Sequence, residues 1–228
     1  RAALVPPAQK ELLLTEAEGL LEAAQRIDPR IMGARSGLAE IALARGDTAA
    51  AEALLRQGVE QHGDADAALR LASLLQKWGR ADEALAVLER IPPAARDAPW
   101  VTGVIEVLLA DRRLDEALAV VSDALEREPE NRMYGLMRAR LLSELGRTEL
   151  AIEALEPLRE GPGARDATLL QAQLLINSDQ ALRAVPALES VRKAAPNDRE
   201  ALKLLLAAYV RANEIAKAEA LARTAGAT

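Results

Sequence analysis

Seven alanines recur along the chain at intervals of 33 or 34 residues: Ala17, Ala51, Ala84, Ala117, Ala151, Ala184 and Ala218. Four residues after each stands an apolar side chain: Leu21, Leu55, Leu88, Val121, Leu155, Leu188 and Ala222. Residues four apart share one face of an α-helix, so each pair marks an apolar helical stripe. A period of this length kept throughout a chain requires stacked structural units, each burying its apolar face against its neighbours. Alanine recurs where two helices of a unit approach most closely, because a longer side chain would push them apart.

Composition agrees with thin helical layers. A compact core of this size would normally be filled by large aromatic side chains. Here 228 residues include no Phe, two Trp and two Tyr, although half are apolar, so Ala and Leu must fill the interior. Charged residues make up 28%, enough to coat a long surface and short of a disordered composition. The net charge of -6 argues against nucleic acid, which calls for a clustered basic footprint. The absence of cysteine excludes disulfides, thiolate zinc sites and a cysteine nucleophile. The longest apolar runs, such as Leu204 to Val210, fall far short of the roughly 18 to 20 residues that a membrane span needs. The chain opens at Arg1 with neither Met nor a signal-peptide pattern and is read as a fragment of a longer protein.

Each unit reads as two amphipathic helices joined by a tight turn. Gly46, Gly79 and Gly146, with Arg112, Asp179 and Asn213 as substitutes, stand where a left-handed residue would end the first helix. Asp47 or Thr48, Asp82, Asp115 and Thr148 are the expected caps of the next helix. Pro29, Gly63, Pro129, Gly163 and Pro196 mark the unit ends. The small residues Ala39, Ala72, Ala139 and Ala172, the turn glycines, the recurring alanine and the closing proline together resemble the tetratricopeptide repeat. The stretches ARGDTAAAEALL, KWGRADEALAVL and ELGRTELAIEAL carry the likeness most closely. The early Trp and the Tyr of that family are mostly replaced by Leu or smaller residues, although Tyr209 stands in the Tyr place.

The resemblance implies an all-α fold, a right-handed α-solenoid of stacked helix–turn–helix repeats forming one array over residues 1–228. A partial repeat covers 8–31, and full repeats cover 32–64, 65–97, 98–131, 132–164, 165–198 and 199–228. Three places break the regularity. The run Ile91–Pro99 puts three prolines between two units, so a longer or differently twisted step is expected there. Pro157 and Pro186 fall inside second helices and should kink or shorten them, either as tolerated drift on an outward face or as a partner-specific bend.

No reactive constellation stands out. His62, the only histidine, precedes Gly63 at an expected turn and reads as a solvated loop residue. EGPGAR (160–165) lacks both the Lys-Ser/Thr pair and the preceding strand of a phosphate loop. Asp64 and Asp66 lack calcium-loop spacing and read as helix-capping groups. The chain is therefore expected to be non-catalytic, with no cofactor and no metal.

What remains is surface. In the family that this chain resembles, first helices line a concave groove with the second, fifth, ninth and twelfth places of each unit. The expected partner-binding residues are Glu40, Arg70 and Glu106 in a polar early stretch, and Met133, Leu136, Met137, Arg140, Leu169 and Gln173 in a more apolar later one. Such a stretch suits an extended peptide or an amphipathic helix. The same apolar side chains, with Ile176, read equally as packing against the next unit. Trp100 and Tyr134 are either exposed anchors or filler between units. The two-carboxylate clamp of chaperone-binding relatives, Lys at the fifth place and Asn at the ninth, is absent: Lys203 is followed by Ala207.

The resulting expectation is a protein–protein interaction scaffold that binds a protein or peptide. Its Ala-, Leu- and Arg-rich composition points to a bacterial assembly, and the resemblance extends to envelope machines for polysaccharide export or pilus assembly. The periplasm is favoured over the cytoplasm. Two alternatives stand: an accessory domain of an enzyme whose catalytic part lies elsewhere, and a scaffold that self-associates through open solenoid ends.

Overall fold

The computed structural model describes residues 6–28, 31 and 33–225 and is entirely helical among them, with thirteen α-helices and no strand. Pro29 lies outside the described residues, as does the side chain of His62. The chain divides into two compact units, Arg1–Arg113 and Leu114–Thr228. The first holds α1 (Pro7–Ile27), α2 (Ala34–Ala44), α3 (Thr48–His62), α4 (Ala65–Lys77), α5 (Ala81–Glu89) and α6 (Ala98–Ala110). The second holds α7 (Leu114–Arg127), α8 (Arg132–Glu144), α9 (Thr148–Leu155), α10 (Ala164–Asn177), α11 (Ala181–Ala194), α12 (Arg199–Arg211) and α13 (Ile215–Ala225).

Burial follows the alanine ladder. Ala51, Ala84, Ala117 and Ala151 are 0% exposed, and the apolar residues four places on, Leu55, Leu88, Val121 and Leu155, are buried with them. In the first unit α4 packs on its partner α5 and also on α3 and α6. In the second, α10 packs on α11, α9 and α12. Each first helix therefore belongs to two interfaces, which is how units too thin to hold a core share one.

The six turn positions all adopt the left-handed conformation: Gly46, Gly79, Arg112, Gly146, Asp179 and Asn213 have φ between 58° and 84°. At each, the next N–H reaches back five residues to a first-helix carbonyl. Asp47 donates to Ala42, Arg80 to Leu75, Arg113 to Leu108, Arg147 to Leu142, Gln180 to Leu175 and Glu214 to Tyr209, at 2.8–2.9 Å. This closure satisfies carbonyls that would otherwise be orphaned at the helix end. It also shifts the caps. Asp47 caps α3, accepting from the Ala50 N–H at 2.9 Å. Asp82 and Thr148 lie inside the first turns of α5 and α9, whose capping places fall on Arg80 and Arg147 and carry no side-chain cap; Asp115 is likewise in the first turn of α7. The closure consumes only one residue after the left-handed position, so the helix starts sooner than the expected capping residues.

Those first-turn acids pair instead with the next turn along. Arg113 binds Asp82 at 2.9 Å and Arg147 binds Asp115 at 2.8 Å. Arg80 reaches Glu52 at 2.8 Å, and the Gln180 amide donates to Glu149 at 2.6 Å. Exposed pairs of this kind contribute about 0–1 kcal/mol each, so they tune register more than they hold the fold.

Two of the irregular places are closed by side chains from the flanking sequence. Pro157 has no N–H to continue α9, which stops at Leu155 and tightens into a 3-10 turn over Glu156–Arg159. The Glu156 N–H turns to Glu153, and the Ile152 carbonyl accepts instead from the Gln171 amide at 3.0 Å, deep in the second unit. Arg132 donates to the carbonyls of Leu158 and Glu160. Leu158 rests on Gly135, where a Cβ would come within 2.8 Å of it. At the proline-rich step, Arg96 donates to the Glu89 and Ile91 carbonyls and the Trp100 indole donates to Leu88 at 2.9 Å, so the end of α5 is satisfied. Pro186 does not shorten its helix: α11 runs unbroken over 14 residues. The ring is exposed, and only the carbonyl of the exposed Leu182 loses its helical donor.

Ala84→Leu in the first unit and Ala151→Leu in the second should each lower stability by about 1–3 kcal/mol through overpacking, read from denaturant unfolding. Midpoints equal to those of the unsubstituted chain would disprove the close helix approach.

Candidate functional site

The first helices expose a regular row. At the ninth place of successive units, Glu40, Ser73, Glu106, Arg140 and Gln173 are exposed and Ala207 is half-buried. The fifth place varies with the side chain it carries. Ser36 is buried and donates to Asp66 at 2.9 Å; Leu69, Thr102 and Leu136 are half-buried; Leu169 is 5% exposed; Lys203 is exposed. Leu169 and Ile176 belong to the core of the second unit, and Leu136 packs against it, so packing accounts for most of the expected apolar floor. Met133, by contrast, is 42% exposed, and Met137 is half-buried.

Each unit has a cavity on this face. In the first, Glu40, Leu43, Arg70, Ser73 and Lys77 with Ser36 border about 200 Å³. Arg70 there binds Asp66 at 2.7 Å and also Glu40, which raises its pKa, Asp66 being the main cause. Glu40 and Arg70, both expected to face a partner, are thus paired with each other within the unit. Glu106 stands exposed on α6.

In the second unit a larger cavity of about 490 Å³ brings together Arg140, Leu169 and Gln173 with Asp166, Leu170, Glu200, Lys203 and Leu204. Met133, Leu136 and Met137 do not line it. Asp166 and Glu200, missing from the expected site, occupy the second place of their units, a position already marked as groove-facing. Beside this cavity Arg165 gathers Asp198 at 2.6 Å, Asp166 at 2.9 Å and Glu200 at 3.1 Å. Asp198 also caps α12, accepting from the N–H groups of Glu200 and Ala201. The Arg165 guanidinium, followed by those cap N–H groups, holds the Asp198 carboxyl down at about 2 against the opposing effect of burial.

Of the scarce aromatics, Trp78 is exposed, whereas Trp100 and Tyr134 are not exposed anchors. Trp100 is half-buried, with Arg96 4.8 Å from its ring centre, and Tyr134 is buried. Tyr209 donates to Glu189, and burial, with that carboxylate, pushes its phenol up to about 12. Asp64 caps α4, and among the described residues no group of three or more His, Cys, Asp or Glu side chains could hold a metal ion. No described helix is long and apolar enough to cross a membrane.

Helix pairs closed by a left-handed residue and recurring every 33 or 34 residues agree with a match to the tetratricopeptide repeat model over residues 13–64, 36–99 and 105–165. The chain belongs to the tetratricopeptide repeat family. Among characterised relatives it is 33% identical over 184 residues to cellulose synthase operon protein C of Pseudomonas fluorescens, an alignment covering 73% of this chain and 14% of that protein. Among solved structures it resembles pilF of Pseudomonas aeruginosa, with a TM-score of 0.54, 18% identity, and coverage of 85% of this chain and 90% of that one. It also resembles YrrB, a tetratricopeptide repeat protein with an unusual peptide-binding site, at a TM-score of 0.55 and 20% identity, over 73% of this chain and 88% of that one. These two likenesses concern the fold alone.

The depressed Asp198 carboxyl makes a pH prediction. A group whose folded pKa lies below its unfolded value, about 3.9 for Asp, stabilises the fold above that value and loses the effect as pH falls through the folded pKa. Asp198→Asn, which keeps a capping oxygen, should be less stable than the unsubstituted chain at neutral pH. The difference should shrink below about pH 4 and vanish only below about pH 2, measured by denaturant unfolding across pH. A pH-independent difference would show that the charge is not its cause.

Proposed function

We propose that the chain is a non-catalytic scaffold that recruits a protein or peptide partner to the first-helix face of its second unit, within a bacterial envelope assembly. The observation that carries this reading is the 490 Å³ cavity, where apolar side chains lie between exposed polar groups on helices held rigidly by buried neighbours. A small apolar floor with a few convergent polar groups is what a recognition surface requires. The relative named after the cellulose synthase operon favours a polysaccharide-exporting machine over a pilus, and with it the periplasm. Since the chain spans only 14% of that protein, the assembly it serves is part of this proposal.

The test is affinity capture from a lysate of the encoding organism, with the retained proteins identified by mass spectrometry. Met133→Asp, Arg140→Glu and Gln173→Ala together alter three exposed side chains and should abolish retention of the specific partner while leaving helicity unchanged. Undiminished retention would overturn the assignment to this face.

A second reading is self-association, favoured by α1. Leu13, Leu20 and Ile27 are exposed on it at seven-residue intervals, forming one apolar stripe. Sedimentation over a concentration series should then show assembly that Leu20→Glu abolishes, and a monomer at every concentration would sink this reading.

A further inference from the structure

The two cavities occupy equivalent repeat places yet manage charge in opposite ways. At the ninth place the first has Glu40 where the second has Arg140, and at the sixth the first has Arg70 where the second has Leu170; the second-place Asp166 lines the second cavity, while its counterpart Asp66 stands beside the first as a partner of Arg70. In the first cavity Arg70 binds both Asp66 and Glu40, so those three charges are satisfied from within. The leucine at 170 removes that arginine from the second, and Asp166 is held by Arg165 outside the cavity, together with Glu200. Both carboxylates lining the second cavity are therefore already engaged. Arg140 and Lys203, from α8 and α12, are exposed and make no ion pair or hydrogen bond among the described residues.

The half-buried Leu170 and Leu204 line the same cavity, with Leu169 buried beneath and Gln173 also on its wall. One amide hydrogen of Gln173 is given to Asn177 at 2.9 Å, which fixes the side chain and leaves its carbonyl oxygen able to accept. The cavity falls within the roughly 300–1,000 Å³ typical of ligand pockets.

We infer that this cavity binds an extended peptide segment in which two acidic side chains flank an apolar one. The carboxylates meet Arg140 and Lys203 as charge-assisted hydrogen bonds, the apolar side chain covers the leucines, and a main-chain N–H of the segment donates to Gln173. This names the partner chemistry of the face proposed above and rests on that reading. The arrangement spans three successive first helices and so differs from a Lys–Asn clamp within one unit. A free anion would meet the cations but leave the leucines uncovered.

The test uses the whole chain as bait for a displayed library of random twelve-residue peptides, with the enriched sequences synthesised and their affinities measured by fluorescence anisotropy. Enrichment of acidic residues on both sides of an apolar one is expected. Arg140→Gln and Lys203→Gln should each weaken those peptides about tenfold, with loss of salt sensitivity in the double variant. Neither side chain has a partner to lose among the described residues, and unchanged unfolding midpoints would confirm that the fold persists. Enriched peptides lacking acidic residues, or acidic peptides bound equally by the double variant, would overturn the inference while leaving a peptide-binding face intact if Met133→Asp or Gln173→Ala weakens them. No enrichment of any peptide would defeat both readings.

Discussion

The methyl group of one alanine per unit sets the distance between paired helices, and most of the structure follows from that distance. Ala51, Ala84, Ala117 and Ala151 are wholly buried, and only a residue this small lets the flanking leucines interdigitate. The layers are consequently thin. A thin layer has little interior in which to hide irregular backbone, so every departure from helical bonding must be satisfied by a side chain close at hand.

The handling of prolines shows this. Gln171 serves the carbonyl released by the early end of α9, while Arg96 and Trp100 serve the end of α5. At both proline interruptions the freed backbone groups are met by the protein's own side chains. Pro186 needs no such help because its free carbonyl lies on the solvent side. The same economy covers the aromatics: Trp100 and Tyr209 each donate a hydrogen bond as well as filling space.

Much of this was legible beforehand, for a physical reason. Left-handed closure depends on local backbone chemistry, so Gly46, Gly79 and Gly146 announce it, and the period then locates Arg112, Asp179 and Asn213. Exposure at the ninth place follows largely from periodicity, with the small Ala207 half-buried. The fifth place was harder to read: Ser36 sinks because Asp66 accepts its hydroxyl, Leu169 sinks because it is apolar, and Lys203 stays out because it is charged. Charge pairing was least legible. With 28% of residues charged, many partners compete, and nothing local directs Arg165 to Asp198, 33 residues on.

The reach of these side chains has a mechanical consequence. Arg45 binds Glu11 34 residues back, Arg147 binds Asp115 32 residues back, and Arg165 binds Glu200 35 residues ahead, each about one repeat away. Such bonds act as rungs between neighbours. Tension applied to the ends of either compact unit would therefore be carried in series by successive helix pairs, and a pair that yields weakens the neighbours that share its interfaces. Within each compact unit a damaging substitution is felt first in the helix pair that holds it and next in the pairs stacked on either side.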